Sequence, residues 1–160
     1  MKGIYSIILA SVVSLSSSCN NDDNVSMDDR NEALFGQWEY EAIMSDTAVD
    51  VNGDGTVNID LYNTSEIRQC LKDNLTFFAS RGGEEKNSFS INENGLSCGE
   101  VNAFETVESD RYELVNDEII RFDNRNEMRI IEFDKNRLVL EQDDFLDDQE
   151  VVITYTYKRS

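Results

Sequence analysis

The sequence predicts an all-β protein, an antiparallel meander of short strands with one short helix between the first two. Three observations carry this. From position 36 to the C-terminus, apolar residues alternate with polar ones over short segments, the period that buries one face of a strand. The segments are separated by brief runs rich in Gly, Asn and Asp, residues that accept the tight backbone of turns. The chain has no proline, so nothing interrupts a hydrogen-bonded ladder. These observations leave open whether the meander folds as a sandwich or closes as a barrel.

Residues 36–44 open the folded part, with Trp38, Tyr40, Ala42 and Met44 expected on one face. Residues 46–60, rich in Gly and Asp, form a long loop. A helix is expected over 64–71, where Asn63 can cap it and Glu66 stands three residues on as in a capping box. Ile67, Cys70 and Leu71 give that helix an apolar stripe. Further strands are expected at 75–80, 87–92, 101–107, 111–115, 118–123, 127–134, 137–142 and 150–158. Polar turns fall at 81–83, 116–117, 124–126, 135–136 and 143–148.

Ahead of this domain, residues 1–18 have the layout of a secretion signal. Lys2 supplies the positive charge, 3–15 the apolar run, and Ser16, Ser17 and Ser18 the small residues before cleavage. The run is too short to span a bilayer as a stable helix. Leu15-Ser16-Ser17-Ser18-Cys19 resembles a lipobox, its leucine one place further from the cysteine than in the commonest form. The resemblance implies that Cys19 is acylated with palmitate and becomes the first residue of a membrane-anchored lipoprotein. Residues 19–32 then form an acidic flexible tether, since 20–30 holds Asp22, Asp23, Asp28 and Asp29 and almost nothing apolar. Asn20-Asn21-Asp22-Asp23 also resembles the acidic export signal of surface lipoproteins. The expected location is therefore the outer membrane, the choice of face left open, and the folded domain is 33–160.

Acidic residues outnumber basic ones 33 to 14, for a net charge of −19. Such a chain repels phosphate backbones, which excludes nucleic acid as a partner. Histidine is absent, which removes the commonest general base and the usual zinc ligand. No catalytic motif stands in its place, so no enzyme activity is expected. With Cys19 acylated, Cys70 and Cys98 remain as a pair in an oxidising compartment, where a disulfide is the expected state.

Gly36-Gln37-Trp38, directly after Ala33-Leu34-Phe35 and opening the first strand, resembles the lipocalin signature. Residues 33–159 as a whole are similar to the lipocalin-like domain of small bacterial lipoproteins. The threonine-aspartate-tyrosine block of true lipocalins is missing, and the helix lies between the first two strands. The resemblance implies a closed eight-stranded barrel. It also implies that Trp38 closes one end beneath a basic residue of the last strand, Arg159 or Lys158, as a cation–π pair. A small apolar or amphipathic ligand would occupy the interior, lined by Phe77 or Phe78, Phe89, Phe122, Ile130, Phe133, Leu138 and Val152. The alternative is a surface interaction protein whose barrel is filled and whose partner is an envelope protein.

Residues 50–60 carry a second motif. Asp50, Asn52 and Asp54 stand at positions 1, 3 and 5, Gly55 at 6, Thr56 at 7 and Asn58 at 9, which resembles an EF-hand or dockerin calcium loop. Position 12 is Leu61, and the acid stands one place early at Asp60. A displaced bidentate ligand moves affinity toward the extracellular range of roughly 0.1–1 mM. Calcium is thus expected as a structural ion bracing the loop. The carboxylate pairs Asp143-Asp144 and Asp147-Asp148 read as solvated turn charges.

Overall fold

The computed structural model describes residues 30–99 and 106–160. The secretion signal, Cys19, most of the tether and the start of the strand expected at 101–107 lie outside the described residues. Helix α1 (Arg30–Leu34) leads into β1 (Gly36–Val49), β2 (Asn58–Asp60) and helix α2 (Gln69–Lys72). There follow β3 (Leu75–Ala79), β4 (Asn87–Asn92), β5 (Thr106–Val115), β6 (Ile119–Phe122), β7 (Met128–Phe133), β8 (Arg137–Leu146) and β9 (Gln149–Arg159).

The meander closes as a barrel. Each strand from β3 to β9 pairs antiparallel with the next, and β1 pairs with both β3 and β9, so that β1 and β3–β9 form a ring of eight. The short β2 lies outside the ring, laid along the far end of β1 through Met44↔Asp60 and Val49↔Asn58. A closed ring leaves no exposed ladder edge except at its rims.

The face assignment in β1 differs from expectation after Tyr40. A β-bulge between Tyr40 and Ala42 inserts one residue on β1 opposite β9, and one extra residue reverses which side chains point inward. Trp38 and Tyr40 face the interior; beyond the bulge Ile43 and Ser45 are buried there, while Ala42 and Met44 are only half-buried. In β9 the pleat turns Val151 and Ile153 into the core and leaves Val152 half-buried on the outer face. In β3, Phe78 rather than Phe77 faces inward.

Two hairpin turns are closed by left-handed residue pairs, one at the expected 116–117 and one tighter than the expected 143–148. Asp147 and Asp148 have φ of 50° and 59°, and Asn116 and Asp117 have 50° and 58°, the left-handed pair that a two-residue hairpin requires. The expected turn at 143–148 therefore shrinks to two residues and β8 runs on to Leu146. Similarly, 106–115 is one strand, because Asp110 stays within the ladder and accepts the backbone N–H of Asn124 at 2.9 Å.

The helix expected over 64–71 is confined to Gln69–Lys72. The side chains that would cap it are used elsewhere. Asp60 accepts the N–H groups of Tyr62 and Asn63, Thr64 donates to the Asp60 carbonyl, and Glu66 turns back to the preceding loop. Local side-chain bonds of this kind compete with helix formation.

The interior is packed in two clusters. One runs from Leu34 and Trp38 at one end through Phe133, Leu138, Phe78, Phe89, Tyr112 and Phe122. Its central rings meet edge to face, with Phe78–Phe89 and Phe78–Tyr112 centroids 5.3 Å apart and Phe89–Phe122 5.0 Å apart. Such pairs add about 0.5–1.5 kcal/mol each beyond area burial. The second cluster, Ile43, Val49, Leu61, Val151 and Ile153, lies at the other end.

Candidate functional site

The two ends of the barrel are built differently. At the α1 end, Trp38 is fully buried and its indole N–H donates to the Leu34 carbonyl at 2.9 Å. The Arg159 guanidinium lies over the ring with its carbon 4.2 Å from the centroid. It donates to the carbonyls of Ala33, Phe35 and Lys135 at 2.5, 3.0 and 2.8 Å. Lys158 points the other way and pairs with Glu39 at 3.1 Å. Gly36 makes room for this arrangement. Its φ is +133°, and a Cβ there would stand 2.8 Å from Arg159 Nη1, so a side chain would displace the guanidinium. This end is a plug in which the Trp38 ring, the Arg159 guanidinium and the backbone of 33–36 pack together.

The other end is a mouth. Residues from the loop between β1 and β3 and the tip of the β8–β9 hairpin surround a cavity of about 170 Å³. Ile43, Val51, Leu61, Ile67, Leu146 and Ile153 line it, with Tyr155 and Asp144 the two polar side chains. Below it stand three tyrosines: the Tyr40 ring lies 4.8 Å from Tyr157 and 6.1 Å from Tyr155. Burial pushes all three phenols up from their usual value, so they remain neutral at physiological pH. On the β4–β6 side, Arg125 stacks over Phe89 and Phe122 at 4.7 and 5.0 Å and pairs with Glu108 at 2.9 Å. Its Nε is buried without a hydrogen-bond partner.

The loop over the mouth is tied down from several sides. Leu61 and Tyr62 N–H groups donate to the Ile43 carbonyl at 2.9 and 3.2 Å. Glu66, only 4% exposed, accepts the N–H groups of Val51 and Asn52 at 2.7 and 3.2 Å and the Asn58 amide at 2.7 Å. Cys70 and Cys98 form a disulfide that joins α2 to the loop after β4. The two segments are also stitched by the Leu96 N–H to Asp73 at 2.9 Å.

The 50–60 loop divides into two turns. Asp50 accepts the N–H groups of Gly53, Asp54 and Gly55 at 2.8, 3.0 and 2.7 Å. Asn52 accepts that of Asp54 at 2.8 Å and donates its amide to the Asp54 carboxylate at 3.1 Å. Asp54 in turn accepts the Thr56 N–H at 2.8 Å, which holds its carboxyl below the usual aspartate range. Gly53 and Gly55 have φ of +75° and +87°, where a side chain would be strained. Asp50, Asn52, Asp54 and Thr56 thus share one turn. Asn58 is drawn to Glu66, and Asp60 serves the next turn, its carboxyl lowered chiefly by the Asn63 N–H. Among the described residues no three His, Cys, Asp or Glu side chains converge as a metal cluster.

Sequence reasoning missed Glu66 as the clamp of this loop and assigned Asp144 to solvent. The signal for Asp144 was the strand period. Along β8 the buried positions Leu138, Leu140 and Gln142 put Asp144 and Leu146 on the inward face, whereas Asp143 points outward and pairs with Arg129 at 3.0 and 2.9 Å.

A closed eight-stranded meander, plugged at one end and open at an apolar mouth at the other, defines a calyx-type β-barrel protein. No family model matches the chain, and no curated protein sequence matches it. Solved structures similar to it include the siderocalin Ex-FABP, with a TM-score of 0.47 and 14% identity over 80% of this chain and 71% of that one. Bovine odorant binding protein is similar as a deswapped triple mutant, with a TM-score of 0.44 and 12% identity over 80% and 74% of the two chains. Its complex with a selenium-containing odorant gives a TM-score of 0.45 and 11% identity over 81% and 72%.

Proposed function

We propose that the protein is a non-catalytic binding module that holds a small apolar or amphipathic ligand at the barrel mouth. In this reading an acylated Cys19 anchors it as a lipoprotein of the outer membrane. The observation that carries the binding reading is the 170 Å³ cavity lined by six aliphatic side chains. Aliphatic walls recover about 25 cal/mol for each Å² of apolar surface that a ligand removes from water. The ligand sits higher than the sequence suggested. Phe78, Phe89, Phe122, Ile130, Phe133 and Leu138 are consumed in packing against one another, so the deep interior is core. The anchor reading rests on the Leu15–Cys19 pattern and the acidic residues after it.

Substituting Ile67→Trp tests the mouth. Ile67 lines the cavity from the loop and is only partly buried, so an indole there fills the cavity without disturbing the barrel ladders. The expected result is an unchanged unfolding midpoint together with loss of 1-hexanol binding, followed by the Ile43, Leu61 and Ile153 methyl shifts in an NMR titration. Retained hexanol shifts in the variant would place the ligand elsewhere. If wild-type methyls never shift, the second reading is favoured: an interaction protein with a filled barrel, consistent with the ring packing of its interior.

Calcium belongs to the same proposal as a structural ion. The side chains of Asp50, Asn52 and Asp54 share one glycine-supported turn and are the oxygen-bearing residue types a hard cation takes. Calcium at ten times its dissociation constant stabilises by about 1.4 kcal/mol, or an unfolding midpoint higher by about 3–5 °C than in EDTA. Asp50→Ala is expected to abolish the difference between calcium and EDTA. Identical wild-type midpoints at 10 mM calcium and in EDTA would remove the ion from the account.

A further inference from the structure

We propose that the mouth selects ligands whose apolar chain ends in a cation, such as a primary alkylamine, with Asp144 as the ion-pairing group; this rests on the mouth being the ligand site. Asp144 is the one charged side chain lining the cavity. Its Oδ1 accepts the N–H of Phe145 at 2.7 Å, which fixes the carboxylate at the rim. Among the described residues it has no basic partner, in contrast to Asp143 beside it, whose charge Arg129 takes up. A carboxylate held against aliphatic side chains is partly desolvated, and a cation arriving there gains Coulomb energy that water screens less than at a free surface.

Two further observations point to the same sign of charge. Tyr155 shares the cavity with Asp144, and burial, with smaller contributions from Tyr40 and Asp144, keeps its phenol protonated. The Tyr155 oxygen can therefore accept an N–H of an ammonium while its ring offers a cation–π face. Outside, Asp144 also lines a groove with Asp46, Asp143 and Glu150 beside the exposed Phe145. That groove leads cations rather than anions toward the rim, on a chain of net charge −19. The rival group is Arg125, which would favour a carboxylate. Its charge is matched by Glu108, it stacks on Phe89 and Phe122, and it does not line the cavity.

The test compares 1-aminohexane, 1-hexanol and hexanoate by NMR titration of the full chain carrying Cys19→Ser, so that no acyl group competes. The amine is expected to bind about tenfold tighter than the alcohol, the scale of one charge-assisted hydrogen bond, and hexanoate more weakly than both. Asp144→Asn is expected to bring amine and alcohol within twofold of each other. Hexanoate binding as tightly as the amine would overturn the proposal in favour of Arg125. Equal amine and alcohol affinities in the wild type, or a preference that survives Asp144→Asn, would overturn it while the mouth remains a ligand site. Failure of all three to shift any mouth methyl would overturn both readings together.

Discussion

Replacing Trp38 with alanine is expected to cost about 3–5 kcal/mol of folding stability, a large share of what a domain of this size possesses. The indole is fully buried and organises the whole closed end. Phe133 packs against it with centroids 6.1 Å apart, its N–H satisfies the Leu34 carbonyl at the end of α1, and Arg159 lies across its face. Truncation leaves a cavity under α1, an acceptor without its donor, and a guanidinium without its ring. Arg159→Ala removes the other partner of that last contact. It removes the cation–π contact and three hydrogen bonds to the carbonyls of Ala33, Phe35 and Lys135. Urea unfolding of both single variants and the double variant closes a mutant cycle. The expected coupling is about 1–2 kcal/mol at an unchanged dependence on urea. Additive losses would mean that Arg159 acts only through the backbone carbonyls.

The strands were legible because a barrel with a packed apolar interior imposes a period of two on its inward residues. β3, β4, β6, β7 and β9 begin and end within a residue of the positions read from alternation. What alternation cannot carry is the consequence of inserting one residue. The bulge after Tyr40 leaves the composition of β1 unchanged yet moves Ile43 to the mouth and Ala42 and Met44 off the inner face. The same blindness concealed Asp144. A run of acidic residues looks like a solvated turn until the two-residue Asp147-Asp148 turn carries the strand period through it. The loop over the mouth was least legible. Its conformation depends on Glu66 reaching back to Val51, Asn52 and Asn58, a competition between a capping box and a distant loop that local spacing decides wrongly. The chemistry of the site lives in those two places, the hairpin tip and the loop, while the aromatic positions that looked like a ligand lining supply the core.

The same loop makes the disulfide the other large effect. Converting both Cys70 and Cys98 to serine is expected to lower stability by about 3–4 kcal/mol, since the bond closes a loop with a sequence separation of 28 and the reduced chain regains that closure entropy. Serine at both positions also avoids leaving a lone reactive thiol. The effect is expected to reach the native state as well. Leu61 and Ile67, two walls of the mouth cavity, belong to the segment that Cys70 pins, and the remaining ties across to the loop after β4 include the single Asp73 contact to the Leu96 N–H. Hydrogen exchange at Leu61 and Tyr62, whose N–H groups bond the Ile43 carbonyl, is expected to accelerate more than exchange in β8 and β9, and 1-hexanol affinity to fall with it. A stability loss with unchanged exchange at Leu61 and unchanged hexanol affinity would show that the bond acts on the unfolded chain alone. The mouth would then be held by Glu66 and the β1 contacts without help from the disulfide.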